Sequence, residues 1–108
     1  MKTIKENDIL LCTWGWECTR PAFYEVTKVQ NGFVTLMLLQ KERVSYEPFT
    51  GTLGSGTEMP TNNHVGEKSF RKIIKYNEDS KTPYVKISNY EYAYLWDGKP
   101  AAFDYRNI

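Results

Sequence analysis

The dipeptide Asn31-Gly32 constrains this chain more than any other feature. Both residues take positive φ at little cost, which a two-residue type I′ turn demands, and that turn has the twist of the strands it joins. The flanking residues 22–30 and 33–41 are rich in β-branched and aromatic side chains. The pattern predicts a hairpin of two strands. The second of them, Phe33-Val34-Thr35-Leu36-Met37-Leu38-Leu39, is apolar at nearly every position. Such a strand needs cover on both faces, so it belongs at the centre of a closed or tightly curled sheet.

The remainder reads as more strands and turns. Residues 8–13, 70–76 and 84–87 are short strand patterns, and residues 1–7 form a polar lead-in. Residues 14–21 form a loop bounded by Gly15 and Pro21. Residues 42–68 contain Pro48, Gly51, Gly54, Gly56, Pro60, Asn62, Asn63 and Gly66. These forbid a long helix and interrupt strands, so one short strand about residues 44–46 and then a long wandering loop are expected. A turn is expected over residues 77–83, and another over 96–100, where Gly98 supplies positive φ. Residues 88–93 suit one helical turn capped by Ser88 or Asn89. The expected fold is a single all-β domain over residues 1–108: a small antiparallel SH3-like barrel of five or six strands with one long irregular loop. An OB-like barrel is the alternative. Closure removes exposed strand edges in a chain this small.

Composition narrows function mainly by exclusion. With 14 basic and 13 acidic residues the net charge is +1, whereas a general phosphate binder usually shows a basic excess. No apolar run is long enough for a membrane span, and the leading residues are polar. A cytoplasmic protein with reduced Cys12 and Cys18 is expected, with a disulfide across the intervening loop as the other option. Two cysteines and one histidine are too few for a zinc site, so neither metal nor cofactor is expected. His64 stands alone in the expected loop, without a visible catalytic partner. Gly51, Gly54 and Gly56 are not followed by the Lys-Ser/Thr of a phosphate loop. Of the carboxylates Asp8, Glu17, Asp97 and Asp104, Asp97 suits a turn in which it accepts backbone N–H groups. No catalytic constellation is assembled, and an enzyme is not expected.

Aromatic residues make up 15% of the chain, with eight tyrosines. All three tryptophans fall in two segments, Trp14-Gly15-Trp16 with its neighbours and Tyr90-Glu91-Tyr92-Ala93-Tyr94-Leu95-Trp96. Trp, Tyr and Arg are the residues enriched at binding hot spots, so Trp14, Trp16, Arg20, Tyr90, Tyr92 and Trp96 are the candidate partner-binding set. The competing role for the tryptophans is an aromatic plug that closes a small core. Lys68, Arg71, Lys72 and Lys75 form the densest basic cluster. Strand alternation puts Arg71 and Lys75 on one face and Lys68 and Lys72 on the other. Arg71, Lys72 and Lys75 with Tyr76, and with Tyr84 nearby, are the candidate nucleic-acid contacts, cations for the backbone and rings for the bases.

The same aromatic segments carry a resemblance. Asp8-Ile9, Trp14-Gly15-Trp16, Thr19 and Phe23-Tyr24-Glu25-Val26 resemble the opening of a group of small uncharacterised proteins of phages, plasmids and other mobile elements of gut bacteria. Val85-Lys86-Ile87-Ser88, Tyr90, Ala93-Tyr94 and Trp96-Asp97-Gly98-Lys99-Pro100 resemble its ending, and Gly56-Thr57, Pro60 and Gly66-Glu67 match its middle more weakly. Cys18 departs from the glutamine usual before the Thr19 position. The resemblance implies an accessory protein in a bacterial cytosol. The expected function is a non-enzymatic module that binds a host or mobile-element protein, such as an inhibitor of a defence nuclease of the CRISPR or restriction kind. A small nucleic-acid-binding barrel is the alternative.

Overall fold

The computed structural model describes residues 3–14, 20–47 and 55–104, without the side chains of Trp14, Arg20, Tyr46, Glu47, Ser55, Phe103 and Asp104. The described chain is all-β and every strand pairing is antiparallel. Eight strands follow in order: β1 Ile9–Trp14, β2 Arg20–Gln30, β3 Phe33–Glu47, β4 Ser55–His64, β5 Phe70–Tyr76, β6 Pro83–Ser88, β7 Glu91–Leu95 and β8 Ala101–Asp104. Six of them, β1, β2, β3, β5, β6 and β7, close into a ring because β2 pairs with β3 as well as with β1. Asn31 and Gly32 turn the chain between β2 and β3 at φ values of 53° and 81°, as the type I′ signal predicts.

The strand count departs from five or six because β3 is 15 residues long and outgrows the ring. Its first part, from Phe33 to Leu38, pairs with β2, and its second part pairs with β4 from Leu39 to Glu47. Strand β8 then pairs with β4 to make a three-stranded arm. Much of the segment expected to wander is therefore strand. Pro60 is tolerated beside a register shift between Leu39 and Lys41, where a ladder donor is not required. The helical turn expected over residues 88–93 is a tight turn instead, with Ser88 paired to Glu91 as β6 returns into β7. The Ser88 hydroxyl accepts the Tyr90 N–H at 3.4 Å and donates to Glu91 at 2.8 Å. The capping chemistry read from the sequence is present, but it serves a hairpin.

The inward positions of the ring form the main core: Leu10, Cys12, Tyr24, Val26, Val34, Leu36, Val85 and Ala93. Ile4 reaches this core from the lead-in, a role its polar neighbours did not announce. The lead-in is fastened to β2 by Asn7 N–H to Val26 C=O at 2.8 Å and Val26 N–H to Asp8 C=O at 2.9 Å. A second core lies on the outward side of β1, β2 and β3. There Phe23 and Leu39 are buried with Ala101 of β8, flanked by Ile9, Leu11 and Trp96. The apolar run in β3 thus has cover inside the ring at Val34 and Leu36 and outside it at Leu39, whereas Phe33 at its start is exposed on the outward face.

Candidate functional site

The outward side of the ring is not covered all the way round. Where β8 ends its cover, the outward positions of β5, β6 and β7 meet solvent. Cross-strand register brings Lys75 beside Tyr84, Tyr84 beside Tyr94 and Tyr94 beside Leu11. One row along, Lys86 lies beside Tyr92. The Tyr84 ring stands 6.0 Å from that of Tyr92 and 5.7 Å from that of Tyr94, so three tyrosines make one platform. Tyr92 and Tyr94 keep 41% and 43% of their surface exposed. Large rings left open side by side on a small domain make this face the candidate contact surface.

The platform continues across β5 to β3 and β2. Arg71, Ile73 and Lys75 are exposed on β5 while Phe70, Lys72 and Ile74 are partly buried on its other side. This is the alternation that the sequence predicts, and it separates Lys72 from Arg71 and Lys75. Arg71 places its guanidinium 4.8 Å from the centroid of the Phe33 ring, a cation–π contact. Lys28, Gln30, Phe33, Thr35 and Arg71 line a shallow hollow there. The outward positions of β5, β6 and β7 carry Arg71, Lys75 and Lys86 and not one carboxylate. Glu91 of β7 falls on the opposite alternation from Tyr92 and Tyr94 and is bonded to Ser88, and further acidic residues sit in the connecting turns at Glu78, Asp79 and Asp97.

At the β1 side of the platform an open groove of about 380 Å³ is lined by Leu11, Thr13, Tyr92, Tyr94, Leu95 and Asp97. The turn that follows is held firmly. Trp96 N–H donates to Ile9 C=O at 2.9 Å, the Trp96 indole N–H donates to Lys99 C=O at 2.7 Å, and Lys99 N–H donates to Asp97 Oδ1 at 2.9 Å. Gly98 has φ of 84°. Asp97 therefore plays the turn role expected of it, and the residue also lines the groove.

The sequence-predicted partner set divides. Tyr92 is on the platform, and Tyr90, 78% exposed, is at the tip of the β6–β7 turn. Trp96 packs edge-on against Phe23 with ring centroids 5.7 Å apart, and its indole N–H is already used. Trp16 and the side chains of Trp14 and Arg20 lie outside the described residues, as does Cys18. Of the nucleic-acid set, Arg71 and Lys75 face outward together, Lys72 faces the other side, and Tyr76 is exposed at the end of β5. Tyr84, read from the sequence as a ring near the basic cluster, is on the platform, whereas Tyr94 and Lys86, which complete it, belong to neither predicted set. Their common face follows from the β5–β6–β7 register, and period-two alternation in residues 84–94 is the signal that reveals it.

Two polar pairs lie elsewhere. His64 is at the end of β4, not in a loop, and shares a 2.6 Å hydrogen bond with Glu25 of β2. Each is about one-third exposed, neither lines the groove, and Cys12 is on the inward side of the ring. Burial, then the charge of Glu91, pushes the Cys12 thiol up to about 11, which leaves it a poor nucleophile. Lys41 of β3 places Nζ 3.1 Å from Glu58 Oε1, close enough for an ion pair though not aligned as a hydrogen bond, and donates to Pro21 C=O at 2.7 Å. Among the described residues there is no group of three His, Cys, Asp or Glu placed to hold a metal, and no helix long and apolar enough to cross a membrane. Compared with protein-family models, curated proteins and solved structures, the chain matches none.

Proposed function

We propose that this chain is a non-enzymatic binding module, and that its partner is single-stranded nucleic acid laid across the outward face of β5, β6 and β7. The observation that carries the reading is the composition of that face. Arg71, Lys75 and Lys86 share its outward strand positions with Tyr84, Tyr92 and Tyr94, no carboxylate stands at those positions, and Asp97 lines the groove at the border, in a chain whose net charge is +1. A local cationic surface answers the phosphate backbone, and stacked rings answer bases, which need no sequence match to stack. Nonspecific strength on a duplex would call for a larger basic excess.

The test is fluorescence anisotropy with a labelled oligothymidine over a range of salt. Affinity falls as salt rises, and replacing Lys75 and Lys86 by Gln lowers the log–log slope by about 0.7 for each phosphate left without its cation. Binding that ignores salt, or none at low salt, removes the reading.

A second reading keeps the expected docking on a host or mobile-element protein, with inhibition of a defence nuclease as its outcome. The fully presented Tyr90 beside Tyr92 favours it, since exposed tyrosines are also the mark of protein hot spots. A pulldown from bacterial lysate with and without nuclease separates the two. Recovery of one protein in both lysates favours the second reading, and recovery that vanishes with nuclease favours the first.

A further inference from the structure

We infer that the groove beside Asp97 receives one unpaired base and selects guanine. The inference rests on the nucleic-acid reading of the same face and names what that face distinguishes. At about 380 Å³ the groove falls within the roughly 300–1,000 Å³ usual for small-ligand sites. Its lining supplies both halves of base recognition. Tyr92 and Tyr94 offer ring faces, Leu11 offers an apolar wall, and Thr13 and Asp97 offer polar groups for a base edge. The two rings are held in place by Tyr84, which touches both.

Asp97 is pre-positioned for such a role. Its turn is tied to β1 through Trp96 N–H and Ile9 C=O, and Lys99 N–H occupies one lone pair of Oδ1. Oδ2 has no partner among the described residues. An ionised carboxylate accepts hydrogen bonds and donates none. Guanine presents two donors side by side on its Watson–Crick edge, N1–H and N2–H. Adenine and cytosine present one amino donor beside a ring acceptor, and thymine or uracil one donor between two acceptors. Any acceptor turned toward the carboxylate repels it, so guanine alone meets Asp97 with donors at both oxygens. In a duplex that edge is already paired, and a splayed single strand exposes it for stacking and edge contacts together. A cationic side chain from a partner protein is the competing occupant of a groove with two rings and a carboxylate. Lys75 and Lys86 on the same face repel it and favour a polyanion that carries neutral bases.

The test is anisotropy on the full chain with three short probes: oligothymidine, the same strand with one central guanosine, and the same strand with inosine there. A bidentate base contact is worth roughly a five- to hundredfold preference, so the guanosine probe is expected to bind tighter than oligothymidine by a factor in that range. Inosine lacks the N2 amino group and is expected to fall between. Asp97→Asn keeps an acceptor for Lys99 N–H but presents an amide to the base, and is expected to bind guanosine and thymidine probes alike while melting like the parent. Equal binding of all three probes by the parent, or a guanosine preference that survives in Asp97→Asn, overturns the inference and leaves the nucleic-acid reading standing. Failure to bind even oligothymidine overturns that reading and the inference with it. Capture of a lysine-rich peptide instead, abolished in Asp97→Asn, overturns the inference in favour of a cation-binding groove.

Discussion

Tyr94 and Trp96 stand two residues apart on the same outward side of the sheet, yet they have different environments. Trp96 lies under the chain that runs into β8, edge-on to buried Phe23, with its indole N–H satisfied by Lys99. Tyr94 lies beyond that cover, tilted against Tyr84 and still 43% exposed. The arm of β3, β4 and β8 closes one part of the outward face and leaves the other bare. The difference assigns the aromatic residues of one short segment to two jobs. Around Trp96 they hold the second core, and around Tyr94 they are available to a partner.

The strongest way to break this comparison is to remove a ring from each side. Phe23→Ala leaves a cavity at the centre of the second core and is expected to cost about 3–5 kcal/mol by urea unfolding. A cost under about 1 kcal/mol there would mean that the arm does not seal the outer face.

The main core can be probed through its titrating groups. Cys12 is pushed from its ordinary 9.0 up to about 11, by burial first and then by the Glu91 charge. Tyr24 is pushed from 10.0 up to about 12 by burial, then by Cys12 and Glu91. Each folded value lies above the unfolded one, so the unfolded chain holds fewer protons as pH rises through the gap. The stability is fully present below pH 9 and is lost as pH climbs from 9 toward about 11 and then about 12. The expected loss is on the order of 2 kcal/mol per group, visible as a falling urea midpoint. A flat midpoint across that window would place both groups in contact with water.

On the open face the expectation reverses. Tyr94→Ala is expected to change unfolding by about 1 kcal/mol or less, the worth of its packing against Tyr84. The same change is expected to weaken oligonucleotide binding by about 1–3 kcal/mol, the worth of one stacked base. A variant that unfolds as readily as Phe23→Ala would erase the contrast. The smallest effect belongs to the link between the arm and the ring. His64→Ala removes a partly exposed bond to Glu25 and is expected to cost about 0.2–1 kcal/mol, read from the same unfolding curves.

Much of the ring was legible in the sequence because local chemistry decides it. Asn31-Gly32 has one use between two apolar strands, and the alternation of Arg71, Lys72 and Lys75 sets their faces before any contact is known. The Asp97-Gly98 turn is legible for the same reason. Strand β4 was not, since Ser-Gly-Thr-Glu-Met-Pro-Thr-Asn-Asn-His has poor strand propensity. It is a strand because β3 on one side and β8 on the other pair with it, a tertiary cause that a local reading does not contain. The candidate site was legible only in part. Tyrosine-rich segments supplied candidate contact residues, but the meeting of Tyr84 with Tyr92 and Tyr94 depends on a turn at Asn89 and Tyr90 that has no Asn-Gly signal. Trp96 belonged to the candidate hot-spot set and is used in packing, because Phe23 and Leu39 of the second core that absorbs it lie far from it in the chain.

On the proposed function, the bare part of the outer face is where the partner lies. A titration of the nitrogen-labelled chain with oligothymidine, followed by amide chemical shifts, tests it most directly. The account predicts shifts concentrated on β5, β6 and β7, largest near Tyr84, Tyr92 and Tyr94, with Phe23, Leu39 and Ala101 unmoved. Shifts centred on β4 and β8, or none at a concentration where anisotropy reports binding, would contradict it.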